Sequence, residues 1–328
     1  MPEARYGKKR PTTVNNEPMN RVTTLTIPPY LKEGDRVAIA APARKISPEE
    51  LAPSLRLLSS WGLEVQEPEH LYDADNQLAG SDATRRALMQ RLLDDPEVKA
   101  IFCARGGYGT VRIIDGLDFT RFAESPKWVV GYSDITVLHS HIHRLLNVAT
   151  LHATMPIDIT ADSVESPTPA TETLRRMLWG ETMQYRWASH PLNRSGVAAG
   201  QLVGGNLSIL YSLCGSASDI DTRGKILFIE DLDEYLYHID RMMMNLKRSG
   251  HLEGLAGLVV GGMNKMHDNT IPFGRTAEQI VLDAVAEYDY PVCFGFTAGH
   301  IGAENCALML GHRVSLTVDA DCELLFIG

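Results

Sequence analysis

From Leu31 onward, short apolar runs alternate with stretches in which apolar residues recur at helical spacing. That alternation is the pattern of strand–helix–strand units around a mostly parallel sheet. Asp35 to Ala41 predicts the first strand. Ser47-Pro48-Glu49-Glu50 then supplies an N-cap, a proline at the first helical position and first-turn acids, and Leu51, Leu55, Leu58 and Trp61 form an apolar stripe along the helix that follows. Leu63 to Gln66 predicts a second strand. Ser81 caps a helix to about Leu93, which Asp94-Asp95-Pro96 closes ahead of a strand from Val98 to Ala104. A fourth strand spans Trp128 to Gly131.

The pattern changes after Ile159. Asp162 to Pro169 is polar and holds Pro167 and Pro169, and a helix is predicted from Thr171 to Trp179. Beyond Val197, the glycine-punctuated segment Gly200 to Asn206 leads to a strand at Lys225–Glu230, a helix at Leu236–Lys247, a strand at Leu258–Gly262, a helix at Ala277–Tyr288 and further strands toward the C-terminus. The expected fold class is therefore α/β with two domains. Residues 1–22 read as a flexible tail, 23–165 as an N-terminal domain with an open, mostly parallel sheet flanked by helices, 166–195 as a linker region with a helix, and 196–328 as a smaller, β-rich α/β domain.

Composition narrows the partners. The chain has 328 residues, 44% hydrophobic and 22% charged, an ordinary globular balance. Its 31 basic against 41 acidic residues give a net charge of −10, which opposes broad attraction to nucleic acid or anionic membrane. No apolar run approaches the roughly 18–20 residues needed to span a bilayer. The basic start at Lys8, Lys9 and Arg10 is followed by polar residues, so it does not read as a secretory signal. Cys103, Cys214, Cys293, Cys306 and Cys322 are widely spaced and form no Cys-x-x-Cys pair, which points to reduced thiols in a cytoplasm and away from a zinc site. No metal or cofactor is expected.

Four places could carry chemistry. At Trp128-Val-Val-Gly-Tyr-Ser133-Asp134 a strand ends, a serine sits at the turn and a helix begins, the construction of a nucleophile elbow, with Ile135 where such a motif has its second glycine. Ser133 as a plain helix N-cap explains the same residues. Arg105-Gly106-Gly107-Tyr108-Gly109-Thr110 also joins a strand to a helix and can present amides to a negative charge; a ligand-free tight turn is the alternative. Glu230 closes an apolar strand, where open α/β sheets place functional groups, although it also reads as one of a cluster of solvated acids. His300 lies in a loop between Gly299 and Gly302. His139 and His143 share a helix face but lack the glutamate of a zinc-binding His-Glu-x-x-His helix.

Taken together, Arg105-Gly-Gly-Tyr-Gly109, Gly131-Tyr-Ser-Asp134, Gly204-Gly-Asn-Leu207, Ile229-Glu-Asp231 with Ile239-Asp-Arg-Met242, and Gly299-His300 resemble, in order and spacing, the LD-carboxypeptidase family over about Leu31 to Ile327. The resemblance implies a metal-free serine peptidase that releases the terminal D-alanine from muropeptide tetrapeptides during cell-wall recycling, as a cytoplasmic homodimer. It places the nucleophile on Ser133, the acid on Glu230 and the base on His300, with Ser133 in one domain and its partners in the other. The amides of Asp134 and Gly107 are the expected oxyanion donors, with Gly106 as competitor. Arg241, Arg105 and Asn206 are the candidates for substrate contacts. Microcin C immunity peptidases, which cut a peptidyl-nucleotide amide, are the nearest alternative, and a non-catalytic anion-binding module is the alternative from another class.

Overall fold

In the computed structural model, which describes residues 24–327, the apolar runs pair into two sheets. The tail expected over residues 1–22 lies outside the described residues. The first half supplies β1 (Arg36–Ala40), β2 (Glu64–Gln66), β3 (Val98–Cys103), β4 (Trp128–Gly131) and β5 (Thr150–His152). The second supplies β6 (Gln184–Ala188), β7 (Gly196–Asn206), β8 (Ile226–Leu232), β9 (Gly257–Asn264), β10 (Val292–Cys293), β11 (Leu308–Leu310), β12 (Arg313–Val318) and β13 (Asp321–Phe326). The six-stranded sheet runs β11-β5-β4-β3-β1-β2 and the seven-stranded sheet β10-β9-β8-β7-β12-β13-β6. Within the first sheet β1 to β5 pair in parallel and only β11 is antiparallel. The second is half parallel, from β10 to β7, and half antiparallel beyond it.

Local chemistry accounts for the helix starts. Ser47 accepts from the Glu50 amide at 3.2 Å while the Glu50 carboxylate takes the Ser47 amide at 2.9 Å, a reciprocal cap for the helix Pro48–Ser60. Ser81 caps Asp82–Asp94, and the helix expected at Thr171 begins at Pro169, capped by Thr168. The helix expected over Ala277–Tyr288 stops at Ala284.

Several pairings depart from the sequence reading. Gly200 to Asn206 is the end of the 11-residue strand β7, and its glycines mark close approach. A Cβ on Gly204 would lie 1.9 Å from the Phe228 carbonyl oxygen, and one on Gly205 would lie 2.5 Å from Thr136 Oγ1. The segment read as a linker contains β6, an edge of the second sheet. β11, late in the chain, returns to pair with β5 of the first sheet, so the two sheets are stitched through the segment that follows His300. Among the described residues no helix is long and apolar enough to cross a membrane.

Candidate active site

A parallel sheet presents its loops at the carboxyl ends of its strands, which is where open α/β folds bind ligands. Here the carboxyl edges of both parallel regions converge. A cavity of about 460 Å³ is lined by Arg44 after β1, Arg105 to Gly107 after β3, Tyr132 and Ser133 after β4, Met155, Ile157 and Asp158 after β5, Asn206 at the end of β7, Asp231 to Glu234 at the end of β8, and His300 after β10.

Ser133 is half-buried with φ +62, a left-handed conformation that costs a β-carbon-bearing residue about 1–2 kcal/mol. Buried surroundings hold it there. A Cβ on Gly131 would lie 2.9 Å from Ile135 Cγ1, so the glycine before the serine lets the helical turn fold back over the strand end. His139 donates from Nε2 to the Gly131 carbonyl at 2.8 Å; burial pushes this imidazole down to about 4 and keeps it neutral. Asp134 is buried and accepts the Thr110 amide at 2.9 Å, tying the glycine loop to the serine turn. Burial raises the Asp134 carboxyl above the usual range. Gly106 lies so close that a Cβ there would be 3.0 Å from Ser133 Oγ. Arg85 locks the loop from behind, buried and donating to the carbonyls of Pro42 at 2.5 Å and Gly109 at 2.9 Å.

Glu230 is fully buried, and the register shift between Ile229 and Asp231 turns both Glu230 and Asp231 inward. Glu230 Oε2 accepts from His300 Nδ1 at 2.7 Å and from the His300 amide at 3.2 Å. Gly299 makes this possible with φ +104: a Cβ there would lie 2.6 Å from the same Oε2. The Tyr132 ring stands edge-on to His300 with centroids 4.8 Å apart. Burial alone would depress the His300 pKa, but the bond and charge of Glu230, with Asp231 and Asp158 beyond, outweigh it and raise the pKa above its ordinary value. Burial, with the neighbouring Glu230 second, pushes the Asp231 carboxyl up to about 7. Ser133 and His300 thus line one cavity, with Glu230 behind the imidazole.

Residues 37–153 match the LD-carboxypeptidase N-terminal domain and residues 199–316 the LD-carboxypeptidase C-terminal domain. The chain is 39% identical to the probable murein peptide carboxypeptidase of Bacillus subtilis (strain 168), over 92% of this chain and 94% of that protein. The chain belongs to the LD-carboxypeptidase family. Its fold is similar to the crystal structure of muramoyltetrapeptide carboxypeptidase from Oxalobacter formigenes, with a TM-score of 0.80, 26% identity, and coverage of 89% of this chain and 99% of that one. The microcin C7 self-immunity protein MccF shares the fold at a TM-score of 0.80 and 20% identity, covering 93% of this chain and 98% of its own.

Within this family member the other expected site residues take different places. Arg105 lines the cavity but donates to the Lys45 carbonyl at 3.2 Å and lies 3.5 Å from Glu50. Arg241 is exposed on the helix Leu236–Arg248, stacks over the Tyr237 ring and is not part of the cavity wall. Asn206 lines the wall, yet its amide donates to Asp231 at 3.0 Å and its oxygen caps Ile209 N at 3.2 Å. Among the cavity residues to which the sequence reading gave no role are Arg44, Asp158 and Tyr132, the last quoted only as part of a motif. Away from the cavity, Cys214, Asp219 and His251 bring one potential ligand atom each within 4.8 Å of one another. His251 there already bonds Asp219 at 2.7 Å and Ser249 at 2.8 Å, so the cluster satisfies itself.

Proposed function

We propose that this chain is a serine LD-carboxypeptidase that hydrolyses the L–D amide holding the terminal D-alanine of muropeptide tetrapeptides. The observation that carries the reading is the His300–Glu230 pair, bonded at 2.7 Å, in the cavity that also receives a serine held at φ +62. The family membership and the Bacillus and Oxalobacter relatives support the substrate class.

The roles follow from the atoms. With Nδ1–H donated to Glu230, His300 keeps Nε2 free to accept the Ser133 proton as the hydroxyl attacks the scissile carbonyl. Glu230 orients the ring and stabilises its protonated form. The amides of Asp134 and of Gly107, or of Gly106 in its place, receive the oxyanion, each contributing on the order of 3 kcal/mol to transition-state stabilisation. The imidazolium then protonates the leaving D-alanine amine, and water, activated by the same ring, releases the acyl group. A cytoplasmic setting accords with five free cysteines, and a homodimer belongs to the same reading.

The purified protein should release D-alanine from tetrapeptide muropeptides, read by mass spectrometry against tripeptide and pentapeptide forms, and Ser133→Ala should lower that release by several orders of magnitude while leaving the melting temperature in place. Near-normal turnover by the variant would remove Ser133 from its role. Cleavage of a peptidyl-nucleotide in preference to the tetrapeptide would move the chain to the immunity branch. No turnover of either substrate would favour a binding module.

A further inference from the structure

A carboxypeptidase distinguishes a chain end from a chain interior, and what marks the end is a carboxylate. Resting on the carboxypeptidase reading above, we propose that Arg44 docks the terminal carboxylate of the substrate and so sets the preference for a chain end.

Arg44 stands in the loop after β1, beside the glycine loop after β3, and its exposed side chain lines the cavity that holds Ser133 and His300. Gly107 makes room for it. A Cβ on Gly107 would lie 2.1 Å from Arg44 Cδ and 2.7 Å from Cγ, so the arginine stem crosses a gap that any side chain would fill. The guanidinium makes no hydrogen bond or ion pair among the described residues. Neighbouring arginines are committed elsewhere: Arg85 to the carbonyls of Pro42 and Gly109, Arg112 to Asp82 at 2.7 Å, and Arg105 to the Lys45 carbonyl at 3.2 Å. Lys45 follows Arg44 directly, so the Arg105 guanidinium is occupied by the backbone of the same loop while that of Arg44 is not.

Charge around the cavity gives the arrangement a direction. Asp231, Asp233 and Glu234 line the wall built from β8, and Asp158 lies beyond Tyr132. An entering carboxylate is repelled from the more exposed Asp233 and Glu234 and attracted to Arg44. A planar guanidinium then meets both carboxylate oxygens with parallel N–H donors, a match that neither a carboxamide nor an interior peptide bond reproduces.

The test compares a tetrapeptide muropeptide with the same peptide ending in a carboxamide, for wild type, Arg44→Gln, Arg44→Lys and Arg105→Gln. Wild type should favour the free acid by on the order of 10- to 100-fold in kcat/KM. Arg44→Gln should bring that ratio close to one, Arg44→Lys should restore part of it, and Arg105→Gln should retain most of it. An Arg44→Gln enzyme with the wild-type ratio would overturn the assignment, as would collapse of the ratio in Arg105→Gln alone. The melting temperature of Arg44→Gln should match wild type, because its side chain is exposed and unbonded. Failure of the wild type to release D-alanine from the acid is a different result, and it would overturn the carboxypeptidase reading itself.

Discussion

Replacing Gly299 by alanine tests whether the His300–Glu230 pair is positioned for catalysis. Gly299 has φ +104, and its missing Cβ would lie 2.6 Å from Glu230 Oε2 and 2.7 Å from Glu230 Cβ. Ordinary van der Waals contact begins near 3.4 Å, so relief needs a displacement of about 0.8 Å, in the oxygen that holds both His300 Nδ1 and the His300 amide. A misplacement of about 1 Å in a catalytic constellation costs on the order of 100-fold in rate. The positive φ adds a backbone penalty of about 1–3 kcal/mol. Gly295, in the loop that leads to the same histidine, separates the two effects: its φ is +75 and a Cβ there meets nothing within 4 Å. Gly295→Ala should lower the melting temperature and leave kcat/KM near wild type. Gly299→Ala should lower both, with kcat/KM for D-alanine release falling about 100-fold. The assay is initial-rate release of D-alanine alongside thermal melting for each protein. If Gly299→Ala kept kcat/KM within about threefold of wild type, the inference that this contact sets the catalytic geometry would be wrong.

Other consequences concern charge and strain. Ser133→Gly should abolish turnover yet melt no lower than wild type, since glycine accepts φ +62 without the strain of about 1–2 kcal/mol, which offsets its greater unfolded-state entropy; a clear drop in melting temperature would refute strain at the turn. A base must be neutral to accept a proton, so the raised His300 pKa places the acid limb of the kcat/KM profile above the ordinary histidine value of about 6.5. Glu230→Gln removes the bond and charge that raise it and leaves burial dominant, which should move that limb to lower pH while the plateau rate falls; an unmoved limb would take His300 out of the titration. The Asp231 pKa, about 7, lies above the unfolded value of about 3.9, so its stabilising contribution is full below that value and is lost as pH rises toward 7. Asp231→Asn should therefore gain melting temperature relative to wild type as pH rises from 5 to 8, and parallel curves would refute the coupling.

How much of this was readable along the chain depends on whether the cause was local. β4 matches its expected bounds because Trp128 to Gly131 is a continuous apolar run ended by a glycine, and the helix after Ser47 follows from a cap whose partners lie within three residues. Family membership was likewise legible, because its motifs are short and sit at strand ends. β7 was not, since Gly204 and Gly205 look like loop residues until Phe228 and Thr136 press against them from other elements. The return of β11 to β5 joins Leu308 to His152, a pairing that no local pattern announces. Arg241 drew notice by lying in a motif, yet its helix face points to solvent and the ring of Tyr237. Arg44 belongs to no motif, and only the β1–β3 adjacency sets it against the glycine loop.

The sharing of the cavity between two sheets has a physical reason. In the proposed mechanism the nucleophile needs a strained turn held by a rigid strand, and β4, fully buried between β3 and β5, supplies one. An ionisable base needs a buried counter-charge, and a carboxylate as deeply buried as Glu230 would be costly beside a serine turn already crowded by Ile135 and Asp134. Placing the acid and imidazole on the second sheet separates the two costs. One contact between the halves is itself polar and specific: Thr136 Oγ1, one turn past the serine, accepts the Asn206 amide at 3.0 Å, beside the β8 strand that carries Glu230. Sliding β7 by one residue would break that bond and drive a side chain either into Thr136, where Asn206 would replace Gly205, or into Phe228, where Val203 would replace Gly204, so the docking that completes the cavity has one register in which serine and imidazole share it.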